Sequence, residues 1–457
     1  MSEAILFRKC LGLNDARAFG TQTLVTNLRA EGAGNAELID CLNLTVTDDG
    51  AVEKIASFTT AITHSAPITN ISAGYDRFIY QDGIDTKEWD GTNIATIGAV
   101  LDGPVAHTPN DVRISTITKI YKSTVAGAAM SEATLGDLSN LPDRAVKAYS
   151  KQPPYKQALV YNGHLYGINQ ADPRFLQWSS WTHFDAWRLA DDFMQTHVSP
   201  ILQVGAIPGV LITTHVTGVT VYTGTDQSTG FTKRFYPCAP YDNTLYSGLI
   251  SKNIGYMHVL IAADGIYAVA PDGVFGRITE SLDAMTALNS SYTCATVTDR
   301  KYLAFGNSVG IEYDFKNKSV LKREPLGVVA AAIFKDTTYY ATGSTIVKSS
   351  GAIDAGAVIQ CSLTLPFSDL SAPGNKVIDS LYFTGTMSGS MTITATDQNG
   401  ESWVREVDDE LLAVSNYRIK TSDMKLGNHI SFKIDCTAGA FRLEDLRAVL
   451  VPSKRSR

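Results

Sequence analysis

What most constrains this chain is a rhythm. Short runs of β-branched and aromatic residues recur along most of its length, separated by Gly- or Asn-containing turns. The clearest unit is HVLIAADGIYAVAPDGVFGRIT, from His258 to Thr279. Val259, Ile261, Ile266, Ala268 and Phe275 mark apolar positions in runs too short and too β-branched for a helix. Asp264-Gly265 and Asp272-Gly273 supply the positive φ that tight hairpin turns require. The unit reads as a β-meander.

The rhythm repeats. TNISAGYDRFIYQDGIDTKEWDGTNIATI (69–97) has Asp82-Gly83 and Asp90-Gly91 as its turns, and QALVYNGHLYGINQADPRFLQWSSWTHFDAWRL (157–189) carries Asn162-Gly163, a type I′ hairpin signal. Weaker copies run over 204–224, 294–324 and 327–350. Over most of this range the units lie about 35 to 45 residues apart, a spacing typical of four-stranded propeller blades. A single meander cannot bury both of its faces, whereas blades packed face to face around a channel bury them and protect most edge strands. The expectation is an irregular β-propeller of five to seven blades over 61–355. No WD or kelch signature accompanies it.

Three segments depart from the rhythm. Residues 101–156 are richer in Ala, Ser, Lys and Asp and read as an insertion or a poorly formed blade, with a short helix in SEATLGDLSNLPDRAVKAYS before Pro153-Pro154. Residues 356–457 change character: SMTITATD and HISFKIDC alternate strictly, as half-buried sandwich strands do, so a separate C-terminal β-sandwich is expected, ending in a basic tail. A break near Gly351 should then be tolerated by both parts. Residues 1–60 hold a strand, an Asp48-Asp49-Gly50 turn and another strand, which form either an edge hairpin or the strand that closes the propeller. The fold class is all-β throughout.

Charge narrows the partners. With 46 acidic and 39 basic residues the formal net charge is −7, which argues against a surface built to neutralise nucleic-acid phosphates or to sit on anionic lipid. Lys454-Arg455-Ser456-Arg457 is the one basic cluster and reads as a solvated tail. The six cysteines, Cys10, Cys41, Cys238, Cys294, Cys361 and Cys436, are scattered singly without a C-x-x-C pair, the pattern of buried thiols in a reducing compartment. The start, MSEAILFRKCLGLND, lacks the apolar stretch of a secretory signal, and no run approaches a membrane span, so the chain is expected to fold in a cytoplasm.

Chemistry has few footholds. The G-x-x-x-x-G-K-[ST] loop, H-E-x-x-H and a helix-opening G-x-G-x-x-G are all missing. Trp178, Trp181, Phe184 and Trp187 are suited to stacking on sugars or bases, but read first as core residues between blades. His183 and Asp185 point to opposite faces of a strand and would meet only if the chain turned there. Asp397, Asn399 and Glu401 alternate like the start of a calcium loop, yet the Gly required at the sixth position is missing, and a hairpin turn at Asn399-Gly400 explains them. Asp76, Asp172, Glu312 and Asp336 are candidates for a glycosidase-type carboxylate pair in a propeller channel, although sequence spacing cannot bring two of them together. The expectation is a protein that is not an enzyme and has neither cofactor nor metal.

LIDCLNLTVTDDGAVEKIASFTT resembles the recurring opening of bacteriophage virion proteins, with an Asn-Leu-x-Val strand, an Asp-Gly turn and a following Lys. ALVYNGHLYGINQADPRFLQWSSWTHFDAWRL looks like their recurring blade, and SLTLPFSDL through SGSMTITATDQNG to GAFRLEDLRAVLVPSKR is similar to their closing sandwich. In size and layout the chain resembles the tail nozzle, or packaged-DNA stabilisation, proteins of short-tailed bacteriophages. That resemblance implies a structural virion protein of the tail, assembled in the bacterial host cytoplasm. It implies a ring, a homohexamer, below the portal and its adaptor, which extends the DNA ejection channel and helps retain the genome. Other tail proteins (fibre, spike or plug) would be partners, double-stranded DNA would touch it only in passing, and it would not insert into a membrane. The counterpart of 101–156 is not recognisable. Two alternatives remain: a neck, stopper or hub protein of a longer tail, and a carbohydrate-active propeller enzyme acting on the host envelope.

Overall fold

Asn162 (φ 45°) and Gly163 (φ 77°) both occupy the left-handed region between the antiparallel strands Tyr155–Tyr161 and His164–Asn169. That is the type I′ geometry whose twist matches the strands it joins. Tyr75-Asp76 and Lys335-Asp336 turn in the same way between the strands they join. The structure is a computed structural model; it describes residues 2–7, 9–13, 35–38, 40–135, 141, 149–224, 230–240, 252–254, 256–279, 292–298, 300–306, 309–324, 327–349, 359–365, 376–408, 411–427, 429–437 and 439–451. Among them there is no helix, and so none long and apolar enough to cross a membrane. The fold is all-β: a propeller and a sandwich.

Seven antiparallel sheets follow one another as blades, at 70–98, 105–132, 155–195, 201–237, 252–277, 292–323 and 328–349 among the described residues. In each, the first strand in sequence is innermost. Asn70–Gly74, Val105–His107, Tyr155–Tyr161, Ile201–Ile207, Lys252–Ile254, Tyr292–Val297 and Val328–Phe334 neighbour one another in turn, and the last packs back against the first. The ring is closed by a strand from elsewhere in the chain: Phe58–Thr63 pairs with Thr345–Ser349 as the outer strand of the seventh blade. Between blades lie apolar seams, for example Phe78, Trp89, Phe334 and Tyr339, whose rings meet at centroid distances of 5.3 to 6.4 Å.

Residues 105–132 form a blade of their own, the second. All its strands are short, from the two residues Ser131–Glu132 to the four of Val112–Ser115. The helix expected after Ser131 falls mostly on residues outside those described, as do Gly351 and the basic tail Lys454–Arg457.

The sandwich draws on both halves of the sequence. One sheet runs in the order Leu411–Leu426, Lys376–Met387, Phe441–Val451, Val52–Lys54, Leu44–Val46, with Ser2–Phe7 also pairing with Phe441–Val451. The other runs Ser402–Val407, Met391–Asp397, Ile430–Cys436, Cys361–Thr364, Asp40–Leu42. Along Met391–Asp397 buried and half-buried residues alternate strictly, the period-2 signature of a strand with one face on a core. Leu381, Phe383, Leu443 and Leu446 from the first sheet and Ile393, Ala395, Phe432 and Ile434 from the second belong to that one core. Cys361 and Cys436 face one another across adjacent strands of the second sheet, both as free thiols.

The hairpin at Asp48-Asp49-Gly50 therefore sits at a sheet edge of the sandwich, and the strand that follows closes the propeller. Residues 356–457 alone lack Asp40–Leu42, Leu44–Val46 and Val52–Lys54. Expressed alone, that fragment is expected to show no cooperative thermal transition by circular dichroism, whereas addition of a 35–57 peptide restores one. A cooperative unfolding transition of the bare fragment would contradict this.

Candidate functional site

The aromatic stretch after Phe175 is dispersed by the fold. Trp178, Phe184 and Trp187 are buried, and the Trp187 indole N–H donates to the Phe184 carbonyl at 2.7 Å. Trp181 is 66 % exposed at a hairpin tip, its indole covering Gly163 so closely that a Cβ there would lie 2.4 Å from Nε1. No row of stacking faces results. His183 lies 2.9 Å by Nδ1 from the Trp181 carbonyl, whereas Asp185 turns to the neighbouring blade.

Asp185 completes a buried charge cluster joining the second and third blades. Its carboxylate lies 2.9 Å from Arg113 Nη1 and 2.6 Å from Lys122 Nζ. Arg113 is 2 % exposed and donates to both oxygens of Asp111, at 2.8 and 2.7 Å, and to Gln152 and the Phe184 carbonyl. A guanidinium can be buried this way because its planar fork finds acceptors on every side. Burial works against its charge, but the hydrogen bonds and charges of Asp111 and Asp185 outweigh it and raise its pKa.

Of the four candidate carboxylates, the fold brings two to one cavity. Asp76 sits in an exposed turn, and Asp172 is tied to Arg174 at 2.6 Å, a hydrogen bond that holds its carboxyl at about 2. Glu312 and Asp336 both line a cavity of 460 Å³ where the sixth and seventh blades meet the N-terminal segment, beside Asn43, Phe58, Lys301 and Arg323. Glu312 is 1 % exposed and fully engaged. It pairs with Lys301 at 2.9 Å and with Arg323, and accepts from the Thr45 hydroxyl at 2.8 Å. Burial first, and the charge of Arg323 second, push Lys301 down to about 8; burial lowers Arg323 to about 10. A carboxylate shared between two cations has no proton to give and little basicity to spare. The arrangement suits a fastening, and it fastens the sandwich strand Leu44–Val46 to the sixth blade. Asn43 (φ 53°) extends it: its N–H donates to Lys322 O at 3.0 Å, and its side-chain amide donates to Gln360 O at 2.9 Å and accepts from the Glu324 N–H at 2.9 Å.

Asp397 is explained by its turn. Desolvation raises its pKa, but backbone N–H groups of Asn399, Gly427 and Glu401, at 2.8, 2.9 and 3.0 Å, outweigh that and lower it. Gly400 takes φ 85° in the same hairpin. Among the described residues no group of three or more His, Cys, Asp or Glu side chains is placed to hold a metal ion.

Sequence reasoning expected a propeller channel but named none of the residues that line it. A cavity of 470 Å³ there is lined by six of the seven innermost strands, with Asn70, Ser72, His107, Lys156, Lys252 and Thr296 as its polar residues beside Gln157. Neighbouring innermost strands splay too far apart to form a ladder, so side chains bridge them. Ser72 Oγ meets His107 Nε2 at 2.9 Å; Gln157 both donates to and accepts from the backbone of Val204, at 3.0 and 2.8 Å. Asn253 donates to Ala206 O at 2.6 Å, and Thr293 to Val328 O at 2.9 Å. The Asn253 carbonyl oxygen is in turn 2.6 Å from His258 Nδ1, and the His258 ring lies so close over Gly205 that a Cβ there would fall 2.2 Å from Cε1. Polar residues spaced singly on alternate strands are the sequence signal of such bridges.

No family profile matches the sequence. No curated protein does either. Among solved structures the chain is similar to the extracellular domain of a one-component system from B. thetaiotaomicron, at 9 % identity and TM-score 0.44 over 92 % of this chain and 64 % of that one. It is similar to PorZ, a bacterial surface component of the type-IX secretion system of Porphyromonas gingivalis, at 11 % identity and TM-score 0.41, over 82 % of this chain and 57 % of that one. An ancestral GH74 enzyme aligns at 10 % identity and TM-score 0.42, over 70 % and 51 %. The chain thus spans less than two thirds of the length of each of these proteins. Likeness this distant bears on neither activity nor partner.

Proposed function

We propose that the chain is a structural subunit of a bacteriophage tail, a nozzle-type protein that assembles as a homohexameric ring beneath the portal and its adaptor and extends the DNA ejection channel. The observation that carries this reading is the way the chain is sewn together. Residues 40–54 complete both sheets of the sandwich, are clamped to the sixth blade through Asn43, Thr45 and Glu312, and lead directly into the strand that closes the propeller. Pulling the two modules apart requires several ladders and a buried ion-pair cluster to fail together, as a part that bears load in a virion requires. The committed state of Glu312 supports a mechanical role over a catalytic one. The net charge of −7 suits a conduit wall to which passing DNA does not adhere, since each cation neutralising a phosphate would add counterion-release affinity.

Mass photometry of the purified chain, alone and with portal and adaptor proteins, tests it. A closed ring of identical copies is the expected result. A monomer under every condition, with turnover of host polysaccharide that is lost in a folded Glu312→Gln variant, would replace this reading with the enzymatic one.

A further inference from the structure

Among the described residues, the propeller channel holds a positive charge with no carboxylate facing it. Among the residues lining it, Lys156 and Lys252 are the charged ones, and no carboxylate is among them. Lys156 is solvent-exposed at the channel surface, and Lys252 lies deeper on the innermost strand of the fifth blade. Among the described residues Lys252 makes no ion pair, whereas Arg113, Lys301 and Arg323 each have a carboxylate partner. Burial disfavours its ammonium and lowers its pKa, an effect that the charge of Cys294 opposes. An unpaired cation in such a place is costly, and proteins that keep one commonly use it.

One further feature faces the same space, and a second, His258, lies behind Lys252 between the blades and outside the cavity lining. Each innermost strand is hydrogen-bonded along one edge only, so its other edge turns N–H groups, alternating with C=O groups, toward the axis, where the N–H groups can donate to an anion. His258, 2 % exposed and feeling the charge of Lys252, holds an Nε2 without a hydrogen-bond partner. Small residues, among them Ala73, Gly74, Ala106, Ala158, Ala331 and Ala332, alternate with larger apolar ones such as Ile71, Leu159 and Ile333 along the lining.

We propose that the channel of this propeller is a binding site for a small oxyanion of the phosphate class, held by Lys252, with Lys156 at the entrance and axis-facing N–H groups around it. The ligand supplies the negative charge that the fold lacks there, so occupancy stabilises the propeller. This site lies within one subunit and is separate from the lumen of any ring the subunits form; it stands whether or not the tail assignment does.

The experiment is a thermal-unfolding titration of the full chain with inorganic phosphate at constant ionic strength, repeated with acetate and with a short single-stranded DNA oligonucleotide. Phosphate is expected to raise the unfolding temperature saturably, and acetate to do so far more weakly. Lys252→Met is expected to unfold at a higher temperature than the parent in phosphate-free buffer, because it removes an uncompensated charge, and to lose at least tenfold in phosphate affinity. Lys252→Arg, which keeps the charge, is expected to retain binding, and Lys156→Gln to lose severalfold. Phosphate line broadening in 31P spectra supplies the same affinity without relying on unfolding. The proposal is overturned if phosphate gives no saturable effect, or if folded Lys252→Met binds within twofold of the parent. It is equally overturned if the oligonucleotide binds while phosphate does not, which would place the affinity on the outer surface.

Discussion

Replacing Glu312 by Gln is expected to destabilise the protein by about 3 to 5 kcal/mol, the usual cost of removing one partner from a buried ion pair. The amide keeps the shape and one acceptor oxygen, so the loss is electrostatic: Lys301 and Arg323 are left facing one another with no negative charge between them. Two controls isolate the cause. Simultaneous Lys301→Met, Glu312→Leu and Arg323→Met replaces the cluster by apolar groups and is expected to be near neutral, because a buried pair owes most of its attraction to having been desolvated. Thr45→Val removes one hydrogen bond to the same carboxylate and is expected to cost about 1 kcal/mol. Urea unfolding, followed by both intrinsic fluorescence and circular dichroism, measures all three. A Glu312→Gln variant as stable as the parent would mean that the cluster fastens nothing.

A second large effect comes with acid. His215 is fully buried, its Nε2 3.0 Å from the Thr213 hydroxyl and 3.2 Å from that of Thr220, and burial lowers its pKa to about 4. The charges of His197 and Lys233 act in the same direction, while hydrogen bonds from the ring to the backbone at Ser199 and Pro200 oppose them. Burial first, and Lys252 second, bring His258 to about 4 as well. In the unfolded chain both imidazoles titrate near 6.5. Between those values the unfolded state binds more protons, so stability is complete above about pH 6.5 and is lost as the pH falls toward 4. At about 1.4 kcal/mol per pKa unit, each histidine contributes roughly 3 kcal/mol over that window, and the pair an amount comparable to the stability of an ordinary domain. The urea midpoint should therefore fall steeply from pH 6.5 to 4.5, and a His215→Gln, His258→Gln double variant should flatten that slope. An unchanged slope in the folded double variant would assign the acid sensitivity to other groups.

The blades were legible where their turns were. Asp-Gly and Asn-Gly pairs mark the first, third and fifth blades because only a few residues tolerate positive φ, and the strands on either side are long enough to show period 2. The second blade carries the same topology in strands of two to four residues, too short for alternation to register, so composition alone made 101–156 look like an insertion. The alternation of Met391–Asp397 announced a sandwich. That residues 40–54 belong to it left no local trace, since ladder partners hundreds of positions away impose no pattern on the strand itself.

The charge clusters were hidden for a related reason. Glu312 stood among the candidate carboxylates, yet its partners were unidentified because they lie diagonally across the strands Lys301–Gly306, Gly310–Asp314 and Ser319–Arg323. Charges whose sign alternates over three successive strands, basic then acidic then basic, were the available signal. Arg113 and Asp185, in different blades, offered none.

Because the last strand of the ring precedes the first blade in sequence, synthesis and folding of this protein run out of step. When Phe58–Thr63 leaves the ribosome, its partner Thr345–Ser349 has not been made, and Asn43 waits for Gln360, 317 positions away. At elongation rates of about 5 to 20 residues per second that delay is roughly 15 to 60 seconds. Throughout it, several unpaired strand edges remain exposed on a tethered chain, while the blades between them accumulate. A polysome holding many such chains offers each of these edges a neighbour's complementary strand, so the correct closure competes with exchange between copies. Slower translation would lengthen the interval of risk, whereas a chaperone that shields residues 40–63 until the C-terminus emerges would shorten its effect.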